Sequence, residues 1–376
     1  MARAQAAHAR ISAWLADNDR LAGLVLTTPG AVAWATGGVT PPVDRTAGTD
    51  LVWAVFTPSG AGLITTEVEA DRVREEYGPE RHGFGELAVV PWHVPDAFVR
   101  AAQALAGAGA ADLGADGHAA FGTDAAADLT ALRLALSEPE QADLRDLGVD
   151  AAAALEWALA AWTPGERDLD VQAQCAAALE ARGADAPVLI VGGDERVQRY
   201  RHPMATGAPV CRLAMAVVVA RRAGLHAAAT RFASAGPLPP GHAALRAPVL
   251  RIEREVLAAC RPGRSYGDVL AALDRGYAAA GYPGAWAGHY QGGPIGYAQR
   301  EFEIAPGQPD SRWPAEPVRA GHAVAWNPSL PGGAKAEDTY LVTEGGLERV
   351  TASADWPTEP GDDMLPARPA VLEVGR

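Results

Sequence analysis

The sequence contains an internal repeat whose two copies lie 98 residues apart. Residues 159–165 (LAAWTPG) recur as residues 257–263 (LAACRPG), so the Pro and the Gly are each offset by 98 (262 − 164 and 263 − 165). In each copy a helical pattern ends at a Pro-Gly break, and a second helical pattern and an extended segment follow. Such a pair predicts an α+β domain with pseudo-twofold symmetry, in which two helix layers cover one curved antiparallel sheet.

The N-terminal part alternates helical and extended patterns. Residues 8–18 have apolar positions at helical spacing, and residues 23–28 form a β-branched run that ends at Pro29-Gly30. Residues 51–56 and 62–66 surround a Pro-Ser-Gly sequence and predict a β-hairpin. Helical stretches follow at 67–77 and 96–106. This alternation predicts an α/β domain.

Three regions follow from these patterns. We expect the α/β domain over residues 1–137. The α+β domain, which opens with a long Ala/Leu-rich helix over residues 140–161, is expected over residues 138–351. Residues 352–376 are rich in Pro and Asp and predict an irregular C-terminal tail.

Composition limits the possible partners. The 376 residues carry a net charge of −14, which disfavours binding to nucleic acid or to an anionic membrane. The longest apolar runs are far shorter than the roughly 20 residues that cross a bilayer. Cys175, Cys211 and Cys260 are scattered without CxxC spacing, which predicts reduced thiols and no zinc site. We therefore expect a cytoplasmic protein that binds neither nucleic acid nor membranes.

Several segments, in order along the chain, resemble the pita-bread family, which includes creatinase, prolidase and aminopeptidase P. The segments are an N-terminal opening (residues 10–37), residues 213–231 with Gly224 and Thr230-Arg231, Gly288-His289, residues 321–328 ending in Asn327-Pro328, and residues 333–339 with Glu337. The resemblance implies a creatinase-like α/β N-terminal domain, followed by a pita-bread domain whose two halves are related by a pseudo-twofold axis. It also implies a homodimer.

The resemblance also identifies the positions of the family's five metal ligands. Its two Asp ligands, eleven residues apart, correspond to Val217 and Ala228 (228 − 217 = 11), and Asn327 replaces a Glu ligand. His289 and Glu337 remain. Two adjacent dications need bridging carboxylates, so we expect no dinuclear centre and no cofactor. A single metal bound by His289, Asn327 and Glu337 is the alternative, although a catalytic metal normally has three good protein ligands.

Three residues are the predicted catalytic groups: His202, His289 and Glu337. By the resemblance, a His in the segment Arg199-Tyr-Arg-His-Pro203 faces the substrate, and creatinase, which lacks metal, uses such a His for proton transfer. An ordinary histidine pKa of about 6.5 suits that role at neutral pH. Glu337 could orient an imidazole or transfer a proton, and the alternative is an ion pair with Lys335. The alternative for His202 is a loop-capping histidine.

The predicted substrate-binding residues are Arg201, Arg222, Tyr297, Arg300, Asn327 and Lys335. Arg300 stands where the family usually has His, and a guanidinium there would be a permanent clamp for a carboxylate or phosphate. The alternative for Arg300 is a surface ion pair with Glu301. Loss of acidic ligands next to Arg and Lys side chains should make the site attract an anion.

Three functions are compatible with these residues. The first is a metal-independent, creatinase-like hydrolase or lyase that cleaves a C–N bond, or eliminates a group, in a small, polar, anionic substrate. The second is a catalytically silent pita-bread binding module. The third is a residual Xaa-Pro aminopeptidase or dipeptidase with one metal.

Overall fold

The computed structural model describes residues 1–40, 42–307, 311–361 and 365–375. The chain divides into two compact units, one of Met1–Glu140 with Ala223–Leu225 and one of Gln141–Arg222 with His226–Arg376. The boundary after Glu140 lies three residues beyond the one predicted after residue 137. Among the described helices, none has the length and apolar character needed to span a membrane.

The first unit contains a six-stranded mixed sheet with helices. Its strands are β1 (Gly23–Leu26), β2 (Val52–Thr57), β3 (Gly60–Thr66), β4 (Glu86–Val90), β5 (Leu113–Ala115) and β6 (Thr123–Asp124), in the order β4-β3-β2-β1-β5-β6. Its helices are α1 (Ala2–Asp17), α2 (Pro29–Thr36), α3 (Ala70–Arg72), α4 (Ala97–Ala106) and α5 (Ala126–Arg133). The predicted hairpin is the antiparallel pair β2–β3, and the predicted α/β class is confirmed.

The second unit is the α+β part. Its helices are α6 (Glu138–Ala161, which begins in the first unit), α7 (Asp168–Glu180), α8 (Asp194–Arg199), α9 (Pro240–Ala259) and α10 (Tyr266–Ala279). Its strands are β7 (Asp185–Gly193), β8 (Leu213–Arg222), β9 (Leu225–Ala235), β10 (Gly292–Ile295), β11 (Ala323–Trp326), β12 (Asp338–Thr343), β13 (Gly346–Arg349), β14 (Thr358–Glu359), β15 (Arg368–Pro369) and β16 (Leu372–Val374). Two four-stranded sheets have the orders β16-β9-β8-β7 and β10-β11-β12-β13.

The internal repeat is visible in the backbone. Helices α6 and α9 end shortly before the two Pro-Gly breaks, and α7 and α10 follow them. Gly165 and Gly263 both have positive φ angles, 96° and 85°, which residues with a Cβ rarely adopt. Each copy therefore uses its glycine to turn the chain between two helices. This arrangement confirms the predicted pseudo-twofold repeat.

A side-chain and backbone seam joins β9 to β12. The backbone N–H of Thr230 donates to the carbonyl of Glu337 at 2.9 Å. Thr339 Oγ1 accepts from the N–H of Ala228 at 2.8 Å and donates to the carbonyl of Ala228 at 2.9 Å. Because successive side chains of extended chain point to opposite faces, Thr230 and Glu337 share one face while their neighbours face the other way.

On that other face, Arg231 is the centre of a buried polar network. Its guanidinium, 1% exposed, contacts Glu156 at 2.8 Å, Asp338 at 2.9 Å and the carbonyl of Thr351 at 2.7 Å. These contacts connect β9, β12 and α6. Arg231 is therefore a structural residue, and its charge is neutralised by two carboxylates.

The C-terminal tail is more ordered than the predicted irregular segment 352–376. Strand β16 pairs in parallel with β9, and β14 pairs with β15. Trp356 Nε1 donates to the carbonyl of Ala370 at 2.9 Å. The tail extends an existing sheet edge, where any chain can supply backbone hydrogen bonds regardless of its side-chain pattern. Residues 362–364 and 376 of the predicted tail lie outside the described residues.

Replacing Arg231 by Met should lower the free energy of unfolding by about 3–5 kcal/mol, because Glu156 and Asp338 would be left as buried carboxylates without their cation. Urea unfolding followed by circular dichroism measures the change. Arg145→Met is the control. Its pair with Glu348 is 40% and 41% exposed, so its loss should cost no more than about 1 kcal/mol. Equal effects of the two substitutions would contradict the assignment of Arg231.

Two buried histidines should make the fold sensitive to acid. Burial lowers the pKa of His226 and of His322 from 6.5 to about 4. Between pH 6.5 and 4 the unfolded chain binds protons that the folded chain does not, so the free energy of unfolding falls as the pH decreases. The slope is about 1.4 kcal/mol per pH unit for each ring. Urea unfolding at several pH values should give a smaller slope for His226→Gln than for the wild type, and identical slopes would contradict this cause.

Candidate functional site

A cavity of about 270 Å³ lies within the second unit, with one apolar and one polar wall. The apolar wall consists of alternate residues of two neighbouring strands, Val188 and Ile190 of β7 and Val217 and Val219 of β8. The polar wall includes His202, Tyr290, Gln299, Arg300, Glu303, Asn327, Lys335 and Glu337. We call this space the inner cavity. Five of the predicted site residues therefore lie around one space.

Glu337 is the centre of the polar wall. Its Oε1 accepts from Asn327 Nδ2 at 3.1 Å, and its Oε2 accepts from Thr230 Oγ1 at 2.8 Å. The ammonium of Lys335 lies 3.5 Å from Oε2. All four side chains are buried, and burial of a charge is tolerated only where partners compensate for the lost water. The ion pair between Lys335 and Glu337 that the sequence left as an alternative is thus present, and it lines the cavity.

A larger pocket of about 530 Å³, the outer pocket, shares residues with the inner cavity. Arg201, Trp286, His289 and Gln291 line it, together with His202, Tyr290 and Glu303, which line both spaces. The rings of His202 and His289 lie 5.0 Å apart between centroids. His202 therefore lies where the two spaces meet.

Glycine at position 192 allows the loop with His202 to approach β7. A Cβ atom on Gly192 would lie 2.7 Å from the Cβ of Pro203, which is closer than real side chains come. The loop follows α8, whose first residue, Asp194, accepts hydrogen bonds from the N–H groups of Arg212 and Leu213 at the start of β8. These contacts hold both ends of the segment that carries His202.

His289 is held through its backbone, and its ring is left for a ligand. Gln291 Nε2 donates to the carbonyls of Trp286 and His289, both at 2.8 Å, and Gln291 Oε1 accepts from Tyr277 Oη at 2.9 Å. Among the described residues, neither ring nitrogen of His289 has a partner at hydrogen-bond geometry, although both are buried and the backbone of Tyr290 lies close enough to act weakly on the ring. Burial, and then the charge of Lys335, lowers the pKa of His289 to about 3. The neutral ring can offer one donor and one acceptor.

His202 is also biased toward its neutral form. Partial burial lowers its pKa below 6.5, the charge of Lys335 acts in the same direction, and the charge of Glu337 opposes both. A neutral imidazole at pH 7 can accept a proton. The position and charge state of His202 both suit a general base.

The arginines of the site differ in their surroundings. Arg300 lines the inner cavity, where its Nε lies 3.5 Å from Glu303 and its Nη1 donates to the carbonyl of Ala325 at 3.4 Å. Arg300 thus forms an ion pair with Glu303, whereas Glu301 accepts from the backbone N–H of Tyr297 at 2.7 Å. Arg201 lines the outer pocket, and burial lowers its pKa.

Two predicted substrate-binding residues lie away from this cluster. Arg222 bonds to Asp150 at 2.5 Å and to the carbonyl of Arg182 at 3.2 Å. Tyr297 is a fully buried side chain. Neither Arg222 nor Tyr297 is among the described residues that line the inner cavity or the outer pocket. Alternation along β8 explains Arg222, because Val217 and Val219 face the cavity and residue 222 has the opposite parity.

Other residues of the site were not predicted from the sequence. The sequence resemblance includes Thr230 only as part of the Thr-Arg motif and predicts no site role for it. In the structure its hydroxyl donates a hydrogen bond to Glu337. The apolar residues Val188, Ile190 and Val219 have the pattern of an ordinary buried strand. Glu303 and Tyr290 lie in irregular segments without a motif. Only the alternation around Thr230 could have indicated its role.

At the positions that correspond to the family's metal ligands, the side chains of this chain do not fit a pair of divalent cations. Val217 lines the cavity without a donor atom, and the backbone groups of Ala228 are bonded to Thr339. The remaining carboxylate, Glu337, has an ammonium 3.5 Å away, which would repel a dication. In the described part of the chain, no three His, Cys, Asp or Glu side chains form a group that could hold a metal ion.

The model of metallopeptidase family M24 matches residues 142–344, which is 203 of 376 residues (344 − 142 + 1). No curated protein sequence matches the chain.

Solved structures with the same fold share little sequence with this chain. The dipeptidase PepE from Mycobacterium ulcerans is 22% identical, with a TM-score of 0.74 over 94% of this chain and 96% of that one. The prolidase from Pyrococcus horikoshii OT3 is 19% identical, with a TM-score of 0.67 over 92% and 98%. The N-terminal domain of the FACT complex subunit SPT16 from chickpea, Cicer arietinum, is 13% identical, with a TM-score of 0.66 over 93% and 96%. The family match and the shared architecture identify the chain as a member of metallopeptidase family M24 with the pita-bread fold.

Proposed function

We propose that the protein is a metal-independent, creatinase-like enzyme that cleaves a C–N bond in a small, polar, anionic substrate. The observation that carries this proposal is the position of His202 beside a buried Lys335–Glu337 pair, in a cavity whose donor atoms do not suit two metal ions. A fixed ammonium there supplies positive charge without a metal. The homodimer, the cytoplasmic location and the absence of nucleic-acid binding stay predictions of the sequence.

Each group of the cluster has a role in this reaction. Arg300 and Arg201 attract the anionic part of the substrate. In a hydrolysis, His202 accepts a proton from water as its oxygen bonds to the carbon, and then returns that proton to the departing nitrogen. In an elimination, His202 accepts a proton from carbon, the C–H electron pair forms a C=C bond as the C–N bond breaks, and His202 gives the proton to the departing nitrogen. His289 stays neutral and can hydrogen-bond to the substrate, and Glu337 holds Lys335 and Asn327 in place.

Two other functions are separable by experiment. Prolidases and dipeptidases with this fold suggest a residual peptidase with one metal. The occurrence of the fold in a domain of a complex subunit, SPT16, suggests a binding module without catalysis. The residual peptidase requires a bound metal ion. The binding module predicts that the protein converts no substrate.

Turnover should be independent of divalent metals. Purified protein is assayed against creatine, other small C–N compounds and Xaa-Pro dipeptides, with and without EDTA, and its metal content is measured by mass spectrometry. We expect far less than one metal ion per chain and equal rates with EDTA, because Lys335 occupies the neighbourhood of Glu337. Dipeptide cleavage that EDTA abolishes and Mn²⁺ restores would identify the residual peptidase.

Replacement of His202 by Gln should lower kcat/KM by about 10²–10⁴-fold, because Gln cannot accept a proton. Thermal stability should change little, since His202 is only partly buried. His93→Gln is the control, as His93 is an exposed histidine of the other unit. Unchanged turnover in His202→Gln would remove His202 from the mechanism. Saturable binding of a compound that is never converted would favour the binding module.

A further inference from the structure

Lys335 is the only lysine in a chain that contains 31 arginines (32 − 1). It is 5% exposed, and it lies in the inner cavity beside Glu337. An ammonium is a compact point charge with three rotatable N–H donors, whereas a guanidinium is a larger planar fork. Because every other strongly basic side chain is Arg, the lysine at this position indicates a need for a compact donor.

The ammonium of Lys335 has donor capacity left for a ligand. Among the described residues, its polar contact is the ion pair with Glu337, which can use one of its three N–H bonds. A buried ammonium is stabilised by further acceptors. The cavity is the space from which such an acceptor can come.

Asn327 supplies the complementary atom. Glu337 can only accept when ionised, so its contact with Asn327 requires the amide nitrogen to face the carboxylate. Asn327 Oδ1 therefore faces away from Glu337. This oxygen is buried and has no partner among the described residues. A side chain that is 5% exposed and lines the cavity thus presents an unsatisfied acceptor.

The two atoms are anchored on the same carboxylate, Asn327 on Oε1 and Lys335 on Oε2. We infer that Lys335 Nζ and Asn327 Oδ1 together bind an uncharged carboxamide or ureido group of the substrate, with its oxygen on Lys335 and its N–H on Asn327. The inference rests on the proposed function, since it names the substrate class of the same cavity. The substituent next to this group would lie against Val217 and Val219, and a branched apolar group fits that wall.

Other groups match this donor–acceptor pair less well. A carboxylate has no N–H for Asn327 and would face the lone pairs of Oδ1. A guanidinium or ammonium has no acceptor for Lys335 and would be repelled by its charge. A ketone satisfies Lys335 but leaves Asn327 without a donor, and an unpaired buried polar group is costly. A planar O=C–N–H group satisfies both.

This arrangement makes Lys335 a catalytic residue as well as a binding residue. Water oxygen bonds to the carbonyl carbon while His202 accepts the water proton, and the negative charge that develops on the carbonyl oxygen lies at Lys335. The C–N bond then breaks, the carbonyl reforms, and His202 gives its proton to the nitrogen. The products are an amine or ammonia together with a carboxylic acid from a carboxamide, or a carbamic acid from a ureido group, so atoms and electrons balance.

The single lysine makes a direct test possible. Protein labelled with ¹³C at the lysine ε-carbon should give one side-chain NMR signal, and that signal reports on Lys335. The probes are isobutyramide, 3-methyl-2-butanone and isobutyrate, which share the isopropyl group and the number of non-hydrogen atoms. Each is titrated to about 100 mM, because ligands of this size bind in the millimolar range at best.

We expect isobutyramide to shift the lysine signal saturably, with an affinity about tenfold higher than that of the ketone, since the ketone leaves Asn327 unpaired. Asn327→Ala should remove the difference between these two probes. Arg145→Met, a substitution on the exposed pair with Glu348, should leave it unchanged. Equal affinities of amide and ketone for the wild type, tighter binding of isobutyrate, or no shift with the amide would each overturn the inference. These three outcomes are measured on the wild-type protein, so they do not depend on whether a variant folds.

The result is separable from a failure of the proposed function. Binding of isobutyramide without turnover of any compound would support the recognition of the amide and oppose the enzyme. Metal-independent turnover in a protein that does not prefer the amide would support the enzyme and overturn the present inference.

Discussion

The seam between β9 and β12 is the feature on which both the fold and the site depend. Its consecutive residues serve opposite faces: Glu337 lines the cavity and is held by Thr230, while Arg231 and Asp338 join a buried ion network. The strong network on one face fixes the register of the two segments, because a shift by one residue would place the charged pair in the cavity and the site residues in the core. The buried charges behind the site therefore fix the positions of its side chains.

The charge pattern of the cavity depends on one side chain, Lys335. Its ammonium is a covalently attached positive charge that lies 3.5 Å from Glu337 Oε2. Glu337 then orients organic donors, Asn327 and Lys335. Burial, and then the charge of Lys335, lowers the pKa of both His202 and His289, which favours neutral imidazoles at two rings whose centroids lie 5.0 Å apart. The lysine, the carboxylate and the two histidines therefore act as one electrostatic unit.

Much of the fold could be predicted because it is local or periodic. Residue spacing and Pro-Gly breaks predict the 98-residue repeat, the hairpin β2–β3 and the long helix α6. These patterns depend on neighbouring residues alone. The tail was predicted less well. Strand β16 forms by pairing with β9, and such a pairing depends on backbone atoms of a distant segment. No pattern within the tail itself encodes that contact.

The sequence by itself determined the family frame, because that frame consists of residue types at fixed spacing. Only the tertiary structure decided which basic side chains face the cavity. It turns Arg222 to Asp150 and Arg231 to Glu156, and it leaves Arg300 and Lys335 at the site. The physical reason is that a charged side chain lies where a partner compensates for its lost water. The carboxylate partner is 72 residues away along the chain for Arg222 and 75 residues away for Arg231.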